Sequence, residues 1–203
     1  MKINIGSSSC HLDGWVNLEY DESYWRKNVF SGERLSPKAT RDMPDVFGDA
    51  RNLSEYRDET FDEVRSAHVL EHISQSETIK SIREWYRILK SGGVVRIIVP
   101  DISFIIDKWI NKEENKEWWD VYLNDRGLYC ESELKKPFGH IDDAFMHIVF
   151  LDGHHVSAYT PDLLKYYMEL VGFINIERCD DDERDIPDCT VCDLSLRLKG
   201  VKP

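Results

Sequence analysis

The sequence contains no apolar run near the roughly 20 residues that a membrane-spanning helix needs. Its first residues, KINIG, alternate like a strand and have none of the apolar core of a signal peptide. We therefore expect a cytoplasmic protein with no membrane partner. A chain of 203 residues is long enough for one hydrophobic core, and we expect a single domain over residues 1–203.

Basic residues are in the minority, because 26 Lys and Arg stand against 38 Asp and Glu, a formal net charge of −12. No run of Lys and Arg marks a basic patch. Nucleic-acid binding needs clustered positive charge that contacts phosphates, so we expect no nucleic-acid partner. A small molecule or a saccharide is the substrate class that this composition favours.

Cysteines are few and unevenly spread: the five are Cys10, Cys130, Cys179, Cys189 and Cys192. The last two form a C-x-x-C pair at the start of an alternating, strand-like segment. A redox pair would instead open a helix, and a zinc site would need two more ligands at short spacing. We interpret the cysteines as reduced thiols, buried where they lie on strands, and we expect no metal.

One segment of the chain combines a strand, a helix and a second strand. DEVRSAHVLEHI (residues 62–73) precedes a stretch with apolar residues at helical spacing, and GGVVRIIVPD (residues 92–101) is too apolar to face water on either side. This order predicts a βαβ unit of a parallel sheet. Further strands are predicted at residues 2–6, 15–19 and 46–47.

The second half of the chain changes character after the second of these strands. Residues 102–125 predict one or two helices whose tryptophans either line an acceptor pocket or, as the helical spacing favours, belong to a core or an oligomer contact. Residues 126–159 have no clear period and hold four of the seven histidines, which predicts a functional loop. A helix capped by Thr160 and an antiparallel pair of strands follow.

HVLEH (residues 68–72), LKSGG (residues 89–93) and the Pro-Asp at residues 100–101 resemble the motifs of class I S-adenosylmethionine-dependent methyltransferases. The similarity is to a small branch with His-x-Leu-Glu-His after the fourth strand and a Leu-Lys-x-Gly-Gly turn closing the next helix. It extends from Lys2 to about Asp101 and resumes near Tyr159.

The resemblance implies an α/β, Rossmann-like methyltransferase fold. The expected sheet is mostly parallel and seven-stranded, with a C-terminal antiparallel hairpin and helices on both faces. The resemblance also implies S-adenosyl-L-methionine as the cofactor. In an open α/β sheet the ligand lies at the topological switch, which we expect beyond the carboxyl ends of the first and second strands.

The resemblance also assigns residues to the cofactor. Gly6 matches the first glycine of the turn after the first strand, Ser7 follows it, and Ser8 stands where the family usually has a second glycine. Glu19, which ends the second strand, matches the acid that accepts hydrogen bonds from the ribose hydroxyls. Asp21 is the alternative if the strand register differs.

Four further residues complete the expected cofactor site. Asp49 matches the acid near the adenine amino group, although an Asx turn explains that residue almost as well. Ala50 presents the neighbouring backbone N–H. Ala67 and His68 follow the fourth strand, where the family closes over the cofactor.

Methyl transfer to a hydroxyl requires a base that takes up a proton. We select His68, Asp101 and His154 as catalytic candidates and prefer His154, which belongs to a pair of adjacent histidines in an irregular segment. Capping of the helix that follows explains Asp101 equally well. Residues 102–158 are expected to form a helical and loop insertion that covers the substrate cleft.

The favoured function is O-methylation of a small molecule or saccharide, and other functions were weighed against it. A catalytically silent binding module finds support in the Gly6-Ser-Ser-Ser turn. An oxidoreductase would need GxGxxG, and an amide N-methyltransferase an Asn/Asp-Pro-Pro-aromatic motif; neither occurs. Zinc proteolysis is excluded because Glu71 precedes the second histidine of HVLEH instead of following the first. A homodimer remains open.

Overall fold

The computed structural model describes residues 1–8, 10–27, 42–125, 140–182, 184 and 194–203. Cys130, Cys189, Cys192 and part of the predicted loop lie outside these residues. The strands are Lys2–Ile5 (β1), Val16–Glu19 (β2), Val46–Phe47 (β3), Phe61–Ala67 (β4), Leu89–Pro100 (β5), Ile174–Arg178 (β6) and Ser195–Val201 (β7). The helices are Glu22–Trp25 (α1), Gln75–Ile88 (α2), Ile102–Ile110 (α3), Lys116–Asp125 (α4), Ile141–Phe150 (α5) and Pro161–Val171 (α6).

The strands form one seven-stranded sheet in the order β3-β2-β1-β4-β5-β7-β6. Strands β1 to β5 pair in parallel, and β7 pairs antiparallel with both β5 and β6. This confirms the expected fold class. The strand order reverses between β1 and β4, so the topological switch lies between these two strands. The sequence predicted it at the first and second strands instead.

The main core lies on the central strands and on helix α2. Ile5 of β1, Val64 of β4 and Ile97 of β5 are fully buried. Trp85 of α2 is also fully buried, and its indole N–H donates to the carbonyl of Ala50 over 2.9 Å. This bond ties the helix to the loop that follows β3, where part of the cofactor site was predicted.

LKSGG does not form the separate turn that its sequence suggests. Helix α2 ends at Ile88 and β5 begins at Leu89, because Leu89 is buried and pairs with Phe61. The pairing resumes between Glu63 and Val94, so the intervening residues form a bulge. A Cβ on Gly93 would lie 2.8 Å from the carbonyl oxygen of Lys90, which explains the second glycine.

Helices α3, α4 and α5 share a second, smaller hydrophobic cluster, whose buried members are Ile105, Trp119, Ala144, Ile148 and Leu194. Trp119 is fully buried, and its indole N–H donates to a backbone carbonyl. The core interpretation of this tryptophan is therefore confirmed. Helix α5 lies where no regular element was predicted. No helix within the described ranges is long and apolar enough to cross a membrane.

Candidate active site

The turn after β1 and the segment after β4 touch at the carboxyl edge of the sheet. Gly6 has a φ of +70°, and a Cβ on it would lie 2.2 Å from Cγ2 of Val69 and 3.7 Å from the carbonyl oxygen of Ala67. Only glycine adopts this conformation without strain and leaves this space. The predicted first glycine and the HVLEH segment therefore meet at the topological switch.

The backbone N–H groups of this turn are bonded within the protein, so its serine hydroxyls are the groups that could bind a ligand. The N–H groups of Gly6 and Ser7 both donate to the carbonyl of Leu18, over 2.8 and 3.0 Å. Oγ of Ser7 is buried and has no hydrogen-bond partner among the described residues. Ser8 has a φ of +43°, the left-handed region that favours glycine, which accounts for the family's glycine at this position.

Glu19 lies at the carboxyl end of β2 and is buried, with 8% of its surface exposed. Oε2 accepts the N–H of Ser8 over 2.8 Å, and Oε1 accepts the N–H of Tyr20 over 2.7 Å. A carboxylate oxygen has two acceptor positions, so each oxygen keeps one for a ligand hydroxyl. Asp21, the sequence alternative, is exposed.

Asp49 is held by a neighbouring guanidinium. Arg51 donates through Nε and Nη2 to both carboxylate oxygens, over 2.7 to 3.0 Å, and its Nη1 contacts Glu77. The hydrogen bond from Arg51 keeps the pKa of Asp49 below its ordinary value. The backbone N–H of Arg51 also donates to Oδ1 over 2.9 Å, so Asp49 forms the Asx turn that the sequence offered and both of its oxygens are engaged. Its neighbour Ala50 is buried.

His68 is held by a buried carboxylate. Its φ of +54° is uncommon for a residue with a side chain, and its Nδ1 lies 2.9 Å from Oε1 of Glu71, which is 1% exposed. A carboxylate only accepts hydrogen bonds, so this contact favours the tautomer with the proton on Nδ1. Nε2 is then an acceptor, and Oγ of Ser195 lies 3.4 Å from it. This is the arrangement of an oriented base.

Asp101 acts as a helix cap in the structure. Its Oδ1 accepts the N–H of Phe104 in the first turn of α3 over 3.2 Å, and its Oδ2 is bonded to Arg178. Asp101 is buried, and both of its carboxylate oxygens are engaged. Of the two sequence interpretations, the contacts therefore favour capping.

The segment before α6 closes on the end of β4. The N–H of Val156 donates to the carbonyl of Glu71 over 2.8 Å, and the hydroxyl of Ser157 lies 2.9 Å from the carbonyl of Leu70. His154 is exposed on this segment, whereas burial lowers the pKa of its neighbour His155. His155 is therefore the histidine of this pair that faces the interior.

A small pocket lies between these two segments and helices α3 and α5. Its walls are mostly apolar, and Glu71 and His155 are its titratable members. The lining residues are Glu71, Pro100, Ile102, Ile105, Ile148, Val149, His155, Ser157 and Ala158. The cavity volume of about 10 Å³ has room for about one water molecule, so this pocket is too small to hold a substrate.

Three residues of this site were not selected from the sequence. Glu71 follows His68 by three residues, a spacing that could have indicated a side-chain pair. His155 was passed over for its neighbour. No sequence pattern indicated Ser195, because it lies near the end of the chain and approaches His68 only through the pairing of β7 with β5.

Comparisons with known proteins agree with this geometry. A family model described as a methyltransferase domain matches residues 29–97. Comparison with curated proteins finds no match. Among solved structures, a SAM-dependent methyltransferase from Archaeoglobus fulgidus is similar at 14% identity and a TM-score of 0.56, over 99% of this chain and 85% of that one.

Two further solved structures are similar over the whole of this chain. The PH0226 protein of Pyrococcus horikoshii OT3 has 13% identity and a TM-score of 0.53, with 81% of its chain covered. Phosphoethanolamine N-methyltransferase 2 of Haemonchus contortus, solved in complex with S-adenosyl-L-methionine, has 15% identity and a TM-score of 0.51, with 48% covered. The methyltransferase family model over residues 29–97 and this shared fold support the class I, S-adenosyl-L-methionine-dependent methyltransferase that the sequence resembles.

Proposed function

We propose that this methyltransferase acts on a hydroxyl of a small molecule or saccharide, with His68 as the base. The observation that carries the proposal is the 2.9 Å contact between Nδ1 of His68 and the buried carboxylate of Glu71. When bound, S-adenosyl-L-methionine supplies an electrophilic methyl group. The protein must then align an acceptor oxygen and take up its proton.

The residues around the β1–β4 switch fit the cofactor. The buried hydroxyl of Ser7 needs a partner, and the remaining acceptor positions of Glu19 suit two neighbouring ribose hydroxyls. Asp49 offers an oriented carboxylate for the adenine amino group. Gly6 lets the turn after β1 pack against Val69, whose Cγ2 occupies the place where a Cβ would lie.

His68 carries the chemistry in this proposal. With Nδ1 donating to Glu71, Nε2 accepts the proton that the acceptor hydroxyl loses. In this proposal the acceptor hydroxyl takes the place beside Nε2 that the hydroxyl of Ser195 occupies, 3.4 Å away. Glu71 keeps the imidazole in the correct tautomer and stabilises the charge that forms on it.

Parts of residues 102–158 line the small cavity beside Glu71. Ile102, Ile105 and Ile148 supply part of the pocket wall, as do Ser157 and Ala158. We propose that this part of the chain covers the substrate cleft, as the sequence suggested. The net charge of −12 favours a small uncharged acceptor over a polyanion.

Cofactor binding is tested first, by thermal unfolding with S-adenosylmethionine, S-adenosylhomocysteine, NAD or no ligand. A ligand at about 100 times its Kd stabilises the native state by about 2.7 kcal/mol. We expect both sulfur nucleosides, and not NAD, to raise the Tm of the wild type, and Glu19→Ala to lose most of this rise. An equal rise in Glu19→Ala would refute the assignment of this carboxylate.

The base is tested by S-adenosylhomocysteine release with a panel of sugar, phenol and amine acceptors. We expect turnover with hydroxyl acceptors, and His68→Gln to lower kcat by about 100-fold or more while the ligand-induced rise in Tm persists. Glu71→Gln should lower kcat in the same direction. If amines alone are methylated, or if His154→Gln and not His68→Gln lowers kcat, the proposed chemistry is wrong.

A further inference from the structure

Three potential metal ligands converge beside the base, on two segments that are distant in sequence. One ligand atom from each of Glu71, His72 and His155 lies within 4.8 Å of the other two. The two imidazole rings are 5.0 Å apart at their centroids and inclined at 68°, so they approach from different directions. Two imidazoles and a carboxylate around one point form a typical ligand set for a transition metal.

Glu71 has an oxygen that the protein itself does not satisfy. Its Oε1 contacts His68, whereas Oε2 is buried and has no hydrogen-bond partner among the described residues. Leaving a buried polar atom unpaired costs about 1–3 kcal/mol, and more for a charged group. A cation bound at Oε2 would offset this cost.

His72 is oriented as metal-binding histidines usually are. Nδ1 of His72 lies 3.0 Å from the carbonyl oxygen of His154, which accepts only, so Nδ1 carries the proton and Nε2 keeps its lone pair. Metal-binding histidines characteristically donate their second N–H to a carbonyl in this way.

The backbone already holds the two segments together. Besides the contact of His72 with His154, the N–H groups of Val156 and Ser157 donate to the carbonyl of Glu71, over 2.8 and 3.2 Å. Tetrahedral zinc with ligands at 2.0–2.1 Å brings the ligand atoms to about 3.3 Å from one another. The ligand atoms, now up to 4.8 Å apart, must therefore approach one another by up to about 1.5 Å to complete the site.

We propose that Glu71, His72 and His155 bind one Zn²⁺ ion. Three protein ligands leave the fourth tetrahedral position for water or for an oxygen of a bound molecule. The sequence indicated no metal because HVLEH does not match the HExxH pattern, and the third ligand comes from the segment before α6. Zinc binding by these residues is independent of which acceptor the enzyme methylates.

The proposal is tested on the full chain after removal of metal with a chelator. Zn²⁺ is then titrated in competition with a chromophoric chelator, and bound metal is counted by elemental analysis. We expect one zinc per chain, a rise in Tm with Zn²⁺, and affinity lowered about tenfold or more in His72→Gln and in His155→Gln. Mg²⁺, which prefers oxygen ligands, should not compete.

His154→Gln is the matched control, because it removes an exposed imidazole next to the cluster and keeps the backbone carbonyl that orients His72. It should bind zinc like the wild type. The exposed position of His72 makes its variant the safer one for folding, which circular dichroism of the metal-free protein checks. Absence of stoichiometric zinc, or equal affinity in wild type and His72→Gln, would overturn the proposal.

Discussion

An alanine Cβ at Gly6 would lie 2.2 Å from Cγ2 of Val69, closer than any two such atoms approach in a folded protein. The turn after β1 and the residue after His68 are thus packed against each other without room for one methyl group. The proposed cofactor turn and the segment of the proposed base therefore lie at one edge of the sheet, and a larger side chain at Gly6 would displace Val69.

The first prediction concerns this contact. Gly6→Ala should lower the free energy of unfolding by about 1–3 kcal/mol and weaken S-adenosylmethionine binding, because Val69 must move. The control is Gly14→Ala, which has a similar φ of +78° but nothing within 4 Å of the new Cβ. Urea unfolding and the ligand-induced rise in Tm measure both effects.

Adding Val69→Ala to Gly6→Ala should recover part of the lost cofactor binding, because it removes the methyl group that collides. The strain of a positive φ remains, so recovery of stability should be incomplete. If Gly14→Ala destabilises as much as Gly6→Ala, backbone strain and not the collision governs this turn.

The second prediction concerns Ser8, whose φ of +43° favours glycine. Ser8→Gly should keep or raise stability and cofactor affinity, because it relieves the left-handed conformation. Ser8→Val should lower the free energy of unfolding by about 1–2 kcal/mol, because a branched Cβ tolerates this conformation poorly. Equal stability of the two variants in urea would contradict this explanation of the turn.

The third prediction separates core from pocket among the tryptophans. Trp119→Ala should lower the free energy of unfolding by about 3–5 kcal/mol, because a fully buried indole leaves a cavity between α3, α4 and α5. Ile110→Ala is the control, since Ile110 is 67% exposed and should change stability by less than about 0.5 kcal/mol. Denaturant unfolding of both variants makes the comparison.

The fourth prediction concerns acid stability. The hydrogen bond from Arg184 lowers the pKa of Asp182 from 3.8 to about 2. Because the folded pKa is depressed, this carboxylate stabilises the fold fully above the unfolded pKa, and the contribution is lost as the pH falls from about 4 towards 2. Asp182→Asn should therefore be less stable than wild type at pH 7 and approach it near pH 2.

The urea midpoint of both proteins, measured at several pH values, checks this behaviour. Asp181→Asn is the matched control, because Asp181 is the exposed neighbouring acid. It should follow the wild type across the whole range. A gap between wild type and Asp182→Asn that does not narrow in acid would show that the ion pair is not the cause.

Much of the fold was predictable because it depends on local pattern. The alternation of Ile3 and Ile5 and the apolar run of β5 indicate buried strands. Helix α6 is capped at its N-terminus by Thr160, as the sequence predicted, and Gly172 caps its C-terminus. Helix α5 was missed because His140, an uncommon cap, precedes it and its apolar residues are interrupted by acids.

Sequence patterns could identify the residues whose role depends on their immediate neighbours in the chain. Gly6 must turn sharply after a strand, and Asp101 caps the helix that begins one residue later; both follow from backbone geometry within a few residues. The pairing of His68 with Glu71 spans three residues and was within reach of the same reasoning.

Tertiary structure alone decided the rest. Ser195 reaches His68 because β7 pairs with β5 in one particular register, and no local pattern encodes a register between distant strands. His154 and His155 are adjacent and chemically identical, yet only His155 faces the pocket beside Glu71. The path of the segment over the end of β4, held by hydrogen bonds to Glu71 and Leu70, determines which imidazole is buried.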